Sequence, residues 1–205
     1  MIIAPADIKS MVTEPAGEKT PAGLRSMDTE DKDDDVVLEV ISSPEGLGTI
    51  RDGMAKHYYS SGAFNLIQLV LYILRQTGPA HLFLATYSIS DRSITTLRNH
   101  IDRKDILSIR FLIDNRVRSI SPKSFDYLLT AFPGQTRCRT LHAKVALVWN
   151  DQWHISVVGS QNATHNPKLE RGIIHTSREI FNFDKQVLEY EFEHGTTESI
   201  GGLRL

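Results

Sequence analysis

Residues 141–170 read LHAKVALVWNDQWHISVVGSQNATHNPKLE, and they hold most of what the sequence says about fold and chemistry. Two apolar runs, Leu141 to Trp149 and Trp153 to Val158, stand on either side of Asn150-Asp151-Gln152. Asn and Asp are typical turn residues, so this pattern predicts a β-hairpin. We place the two-residue turn at Asn150-Asp151, and this choice sets the register of the two strands.

The predicted register gathers polar side chains at the open end of the hairpin. Counting back from the turn puts His142 opposite Gly159, which would leave room above the backbone beside the imidazole. Lys144 is two positions from His142, so both side chains emerge on the same face of the strand. Ser160 and Asn162 follow the second strand and would supply a hydroxyl and an amide next to His142.

Such a set of side chains suits the chemistry of a phosphodiester. An imidazole can attack phosphorus, so His142 is the candidate nucleophile. Lys144 and Asn162 could hold the non-bridging oxygens and stabilise the charge that grows in the transition state. Glu170 lies eight positions after Asn162. It could fold back to accept the other ring N–H of His142, which would fix the tautomer.

The same stretch carries a family resemblance in three segments. They are His142-Ala143-Lys144, Gly159-Ser160-Gln161-Asn162 and Asn166-Pro167-Lys168-Leu169-Glu170. In this order they resemble the HKD motif of the phospholipase D superfamily, in particular its small single-motif members that act as nucleases. The resemblance implies a reaction that needs no metal and no cofactor and that proceeds through a phosphohistidine on His142. It also implies that Lys144 and Asn162 grip the phosphate, that Ser160 hydrogen-bonds nearby and that Glu170 orients the imidazole.

The chain departs from the family pattern at one position. The family's aspartate usually falls five positions after the lysine, where this chain has Trp149. The nearest candidate is Asp151 in the predicted turn, and turn chemistry alone accounts for an aspartate there.

The resemblance further implies that a second HKD motif protonates the leaving group. The chain has eight histidines, and only His142 is followed two positions later by lysine. The second motif must then come from another subunit. A two-fold homodimer is the economical arrangement, because an isologous interface on the axis brings both copies of His142 to one shared cleft.

Helical and extended patterns alternate before this stretch. Apolar residues recur at helical spacing from Phe64 to Leu74, ahead of the stop signal Gly78-Pro79. His81 to Tyr87 and Ile109 to Ile113 read as buried strands, and serines that can cap helices follow them. These serines are Ser90 and Ser121. The alternation predicts an α/β domain, a layered mixed β-sheet flanked by helices, and the resemblance implies the same phospholipase D-like fold.

The two ends of the chain read differently from each other. Residues 1–35 are rich in Pro, Gly, Thr and charge and end in an acidic run, so we expect a disordered or loosely attached tail. Val36 to Ile41 has strand propensity and opens a single phospholipase D-like domain over residues 36–205. Gly172 to Thr176 predicts another strand, and Ile180 to Phe192 predicts a final helix that Gly195 closes.

Composition limits the partners. The net charge of −2 and the pI near 6.4 argue against a non-specific nucleic-acid coat protein, so a polyanion would need a local basic patch. The candidates for such a substrate-binding rim are Arg116, Arg118, Arg137 and Arg139, and ordinary solvated arginines are the alternative interpretation. Cys138 is the single cysteine, and no apolar stretch is long enough to cross a bilayer. We therefore expect a cytoplasmic protein without membrane contact.

Two functional hypotheses follow from the sequence. The first is a metal-independent phosphodiesterase, a nuclease or nuclease-like enzyme, that works as a homodimer on DNA or RNA. The second is a catalytically inactive phospholipase D-like module that binds nucleic acid or a protein partner.

Overall fold

A computed structural model describes residues 33–196 of the 205-residue chain. It contains eight strands: β1 (Asp33–Ile41), β2 (Met54–Ser60), β3 (Ala80–Thr86), β4 (Ile106–Asp114), β5 (Thr136–Arg139), β6 (Val145–Trp149), β7 (His154–Gly159) and β8 (Glu170–His175). The α-helices are α1 (Leu66–Thr77), α2 (Asp91–Asp102), α3 (Val117–Ile120), α4 (Pro122–Ala131) and α5 (Arg178–Glu193), and a short 3-10 helix spans Pro44–Leu47.

All eight strands form one mixed sheet in the order β1-β2-β8-β7-β6-β3-β4-β5. The pairs β1–β2, β3–β4 and β4–β5 are parallel, and β8, β7 and β6 are joined to their neighbours by antiparallel pairing. The carboxyl ends of β1 to β5 and β7 therefore lie at the same sheet edge as the amino ends of β6 and β8. We call this edge the site edge.

Helices cover both faces of the sheet. The larger core lies beneath α1, α2 and α4, and its fully buried side chains include Leu69, Ile73 and Phe111. A smaller core on the opposite face joins Phe83 and Leu147 of the sheet to α5. Periodic apolar residues direct this layering, because each helix buries one face while strand residues alternate between the two cores. The result is the layered α/β architecture that the sequence predicts.

Several predicted elements are confirmed at their capping residues. The Asn65 side chain caps α1, and Gly78 ends that helix with a φ of 79°. The Ser90 side chain accepts a hydrogen bond from Ser93 N at the start of α2. Ser121 and Pro122 begin α4, although the serine hydroxyl makes no capping hydrogen bond. The ends at Gly78, Ser90 and Ser121-Pro122 were predicted because N-caps and glycine stops have strong local signatures, whereas the Asn65 cap was not predicted.

Strands β2 and β5 are additions to the prediction. β2 carries Lys56 among its apolar residues, which hides the strand pattern. Lys56 is 5 % exposed, and its ammonium donates to Leu47 O at 2.7 Å and pairs with Asp35 at 2.7 Å. β5 has four residues, two of them arginines. A buried lysine interrupts the hydrophobic pattern of β2, and β5 is too short to show a pattern at all, so sequence periodicity detects neither strand.

The predicted tail of residues 1–35 overlaps the sheet by three residues. Residues 1–32 lie outside the described part of the chain, but Asp33–Asp35 belong to β1 and pair in parallel with β2. The ion pair between Asp35 and Lys56 holds the pKa of that carboxyl below its usual value. The backbone pairing and this ion pair explain why the strand begins within the acidic run.

The predicted hairpin is present, but its register differs from the prediction. The turn residues are Asp151 and Gln152, because the Asn150 N–H donates to Trp153 O at 3.0 Å and closes the turn. The Asn150 side chain accepts from the N–H groups of Gln152 and Trp153. The Gly159 N–H consequently donates to Lys144 O, at 3.1 Å, so Gly159 lies opposite Lys144 rather than His142. β6 also begins at Val145, so both predicted site residues precede the strand.

Gly159 permits a close approach between strands, which differs from its predicted role of leaving room beside His142. A Cβ on Gly159 would lie 2.8 Å from Arg171 O and 3.2 Å from the Cα of Gly172. Both atoms belong to β8, the next strand of the sheet. The missing side chain thus lets β8 approach β7 where the two strands reach the site edge.

We expect Gly159→Ala to lower the free energy of unfolding by about 1–3 kcal/mol, because the added methyl group must push β8 away. Urea denaturation measures this loss. Val158→Ala is the matched control on the same strand, since Val158 is 37 % exposed. That control should cost less than about 1 kcal/mol. A Gly159→Ala variant as stable as the wild type would contradict the close approach of the two strands.

Candidate active site

The five residues predicted to carry chemistry all lie at the site edge. His142 and Lys144 immediately precede β6, Ser160 and Asn162 follow β7, and Glu170 is the first residue of β8. Because β6, β7 and β8 are adjacent antiparallel strands, these positions meet at the same edge. Residues that are up to 28 positions apart in the sequence therefore lie at one edge of the sheet.

Lys144 and His142 form the centre of this group. The Lys144 ammonium lies 3.1 Å from Nδ1 and 3.1 Å from Nε2 of His142, and it donates to His142 O at 2.7 Å. His142 is exposed, whereas Lys144 is only 6 % exposed. An ammonium can only donate, so it interacts with whichever ring nitrogen carries a lone pair. A fixed cation therefore stands beside an accessible imidazole.

The environment of Lys144 combines burial with two carboxylates. Burial lowers the pKa of Lys144 below its usual value, and the charges of Glu170 and Asp114 oppose this shift. A positive charge in a poorly hydrated position acts more strongly on a nearby anion than an exposed one would. The arrangement is chemically suited to receiving an anionic group such as a phosphate.

Glu170 has different partners from the one predicted. The Ser160 hydroxyl donates to Glu170 Oε2, and Asn166 Nδ2 donates to Oε1 at 3.0 Å. The Ser160 hydroxyl also accepts from Arg171 N at 3.0 Å. Both carboxylate oxygens are thus engaged by the loop after β7, and His142 is not among the partners. Within this chain Glu170 positions the loop and acts on Lys144 through its charge.

Asn162 faces the carboxyl end of β3. Its Oδ1 is 3.4 Å from the hydroxyl of Thr86, and its backbone oxygen accepts from Leu66 N at 3.1 Å. The side-chain Nδ2 has no hydrogen-bond partner within residues 33–196, so an amide donor is available at the site edge. The backbone contact at the start of α1 fixes its position.

Tyr87 and Asp114 also contribute to the site, and the sequence analysis missed both. The Tyr87 ring lies 5.7 Å from the His142 ring and 5.9 Å from the Lys144 ammonium. Asp114 is fully buried, and its Oδ2 accepts from Leu141 N at 3.0 Å, next to His142. Tyr87 follows β3 directly, and Asp114 ends β4. Their position at carboxyl ends of parallel strands is the signal that would have identified them.

The four predicted rim arginines are distributed over two regions. Arg116 donates to Asp114 at 2.7 Å, and its guanidinium lies 4.6 Å from the Tyr87 ring. Arg118 instead donates to Thr196 at 2.7 Å. Arg137 stacks on Phe192 at 4.7 Å and Arg139 pairs with Glu191 at 2.6 Å, so both contact α5. The structure therefore connects Arg116 with the His142 group and gives the other three structural contacts elsewhere.

Comparison with known proteins places this architecture. No protein-family model and no curated protein matches the sequence. Among solved structures, the chain is similar to Nuc from Salmonella typhimurium, a phospholipase D family member, with a TM-score of 0.51 and 15 % identity over 69 % of this chain and 95 % of that one. The chain has a phospholipase D-like fold.

Two further structures are similar to this phospholipase D-like chain. NucT from Helicobacter pylori has a TM-score of 0.48 and 18 % identity over 69 % of this chain and 98 % of that one. Polyphosphate kinase from Porphyromonas gingivalis has a TM-score of 0.50 and 10 % identity over 71 % of this chain and 27 % of the kinase. The similarity to Nuc, at a TM-score of 0.51 and 15 % identity, shows the fold alone, so any activity must be argued from the residues of the site.

Within residues 33–196, no cluster of three or more His, Cys, Asp or Glu side chains is arranged to hold a metal ion. In the same residues, no helix is long and apolar enough to span a membrane.

Asp114→Asn tests whether the ionised Asp114 carboxylate stabilises the segment that precedes His142, where it accepts a hydrogen bond from Leu141 N. Burial would raise the pKa of Asp114, but hydrogen bonds from Arg116 and Leu141 outweigh it and hold the pKa below its usual value. The ionised carboxylate therefore stabilises the fold above a pH of about 4, and this contribution is lost as the pH falls through the lowered pKa. We expect Asp114→Asn to cost about 1–3 kcal/mol at pH 7 and less at low pH.

Urea denaturation from pH 3 to pH 7 measures this dependence. Asp151→Asn is the matched control, because Asp151 is exposed in the hairpin turn. A cost for Asp114→Asn that stays constant over the whole pH range would contradict the stabilising role of the ionised carboxylate.

Proposed function

We propose that the chain is a metal-independent phosphodiesterase of the phospholipase D superfamily with nuclease activity. The observation that carries the proposal is the exposed His142 imidazole beside the buried Lys144 ammonium, 3.1 Å from both ring nitrogens. Nucleophilic attack on a phosphate anion requires an accessible nucleophile and a cation held in a fixed position, and His142 and Lys144 supply these two groups. Their place in a phospholipase D-like fold supports the assignment.

In the first step, a ring nitrogen of His142 attacks phosphorus. The N–P bond forms as the P–O bond to the leaving group breaks, and a second histidine gives its proton to the leaving oxygen. Lys144 and the Asn162 amide donate to the non-bridging oxygens, where negative charge grows in the transition state. Ser160 and Glu170 keep the loop that carries Asn162 in place. Arg116, which is exposed beside Tyr87, also contacts the substrate.

In the second step, the phosphohistidine is hydrolysed. The second histidine, now neutral, takes a proton from water, and the water oxygen attacks phosphorus while the N–P bond breaks. His142 then regains its lone pair. The acid and the base of the two steps are the same group, as microscopic reversibility requires.

The second histidine comes from another copy of the chain in this proposal. No other histidine of the sequence has a lysine two positions later, and His142 is exposed at the site edge, where a symmetry partner can approach. A two-fold axis close to His142 would place two identical groups in one cleft. The proposed enzyme is therefore a homodimer.

Cleavage assays in excess EDTA test the proposed activity. Wild-type protein should cleave single-stranded or double-stranded DNA or RNA, and His142→Ala should lose at least about 10²–10⁴-fold in rate because it lacks the nucleophile. His194→Ala is the control, since His194 is exposed after α5 and should leave the rate unchanged. Acid-labile, base-stable labelling of the wild type by radioactive substrate would identify the phosphohistidine.

If the wild type cleaves none of these substrates, the proposed enzymatic activity is contradicted. Retained nucleic-acid binding by both wild type and His142→Ala in that case would indicate a binding module. Cleavage that His142→Ala retains would exclude His142 as the nucleophile.

Subunit mixing tests the dimer. Sedimentation velocity should show a dimer, and co-expressed, differently tagged subunits yield a heterodimer of wild type and His142→Ala. Because that heterodimer has one histidine in its cleft, its rate should be at least about 10²-fold below that of the wild-type dimer. An active monomer, or a heterodimer with half of the wild-type rate, would contradict a shared cleft.

A further inference from the structure

A cleft between the first turns of α1 and α2 lies beside the loop that carries Asn162. It has a volume of about 530 Å³. The polar side chains that line it include Asn65, Gln68, Ser90, Arg92, Thr96 and His165. We call it the α1/α2 cleft.

Hydrogen bonds connect the α1/α2 cleft to the loop that carries Asn162. Asn162 O accepts from the first residue of α1, Leu66, at 3.1 Å. Ala163 O accepts from Ser90 N at 3.2 Å and from the Ser93 hydroxyl at 2.7 Å. The chain then continues into the cleft wall at His165. Two residues therefore separate the proposed phosphate ligand Asn162 from the wall.

The electrostatic character of the α1/α2 cleft is basic. Arg92 and His165 line it, and no carboxylate does. Both side chains are exposed, and within residues 33–196 neither forms an ion pair. Asp91 is the neighbour of Arg92 in sequence but is not part of the cleft wall. Guanidinium and imidazole groups with surrounding amides and hydroxyls are typical contacts of phosphate oxygens.

We propose that the α1/α2 cleft binds a phosphate of a polynucleotide strand that neighbours the phosphate under attack at His142. The inference rests on the proposed function and specifies its substrate: the protein recognises an extended phosphodiester chain, and Arg92 is a positioning contact away from the reacting atoms. His165 supplies the second contact. Together with Arg116, whose guanidinium lies 4.6 Å from the Tyr87 ring, this gives the strand basic contacts at two places along the site edge.

Salt-dependent binding tests the cleft without turnover. In the His142→Ala background, fluorescence anisotropy measures the affinity for a labelled single-stranded oligonucleotide of 20 nucleotides at a series of salt concentrations. Adding Arg92→Gln should make the slope of log affinity against log salt less steep, by the amount that corresponds to the loss of about one phosphate contact. Arg103→Gln is the matched control, because Arg103 is exposed at the opposite end of the same helix. It should leave the slope unchanged.

Kinetics with two substrates complete the test. In otherwise wild-type protein, Arg92→Gln and His165→Gln should each raise KM for the oligonucleotide severalfold. Both should leave kcat/KM for the small diester bis(4-nitrophenyl) phosphate unchanged, because that substrate does not reach the cleft. Equal thermal unfolding temperatures of the variants would show that the fold is retained.

The two levels of the proposal fail separately. If Arg92→Gln and Arg103→Gln give the same salt slope and the same KM, the α1/α2 cleft does not bind the strand, whatever the activity. If the wild type binds the oligonucleotide but hydrolyses neither substrate, the proposed function is wrong, and the salt slopes still decide the cleft. If the protein does not bind the oligonucleotide, the proposal that the α1/α2 cleft binds a strand is wrong. Hydrolysis of the small diester would in that case still support the proposed phosphodiesterase activity.

Discussion

The buried amide of Gln161 is the interaction on which the geometry of the site edge depends. It accepts a hydrogen bond from the Tyr58 hydroxyl at 2.7 Å. It donates to Ser60 Oγ at 3.2 Å and to Phe64 O at 3.1 Å. Leaving any of these buried groups unpaired would cost about 1–3 kcal/mol, so the segment after β7 has one favoured position against β2 and the start of α1. Ser160 and Asn162, on either side of Gln161, are thereby fixed at the site edge.

The order of the strands explains why residues from distant parts of the chain meet there. In a purely parallel sheet, a site is built from residues that follow the strands. Here β6, β7 and β8 lie between β2 and β3 and pair in antiparallel fashion, so residues that precede β6 and β8 reach the same edge. His142, Lys144 and Glu170 come from these amino ends, whereas Tyr87 and Asp114 come from the carboxyl ends of parallel strands. The mixed sheet thus combines two sources of side chains in one site.

Local signals predicted the fold well, and long-range contacts account for what was missed. The capped helix α1 and the apolar strand β3 follow directly from hydrophobic spacing and end signals. β2 was missed because Lys56 is buried through an ion pair that only the folded chain supplies. The hairpin register was wrong by two residues because Asn150 uses its side chain to cap the turn from outside it. A shift of two residues preserves the strand face, so the same five site residues still reach one edge.

The difference in exposure between His142 and Lys144 separates two requirements of the proposed chemistry. A nucleophile must be reachable by the phosphorus atom, whereas a stabilising charge is most effective when it is already oriented and poorly hydrated. The sequence shows that the two residues are two positions apart. It does not show that His142 is exposed while Lys144 is buried, with only 6 % of its surface exposed. Glu170 and Asp114 offset part of the cost of burying the ammonium, as their effects on the pKa of Lys144 indicate. The two carboxylates therefore help to hold a positive charge ready before the substrate arrives, and this is a property of the folded chain that no local motif contains.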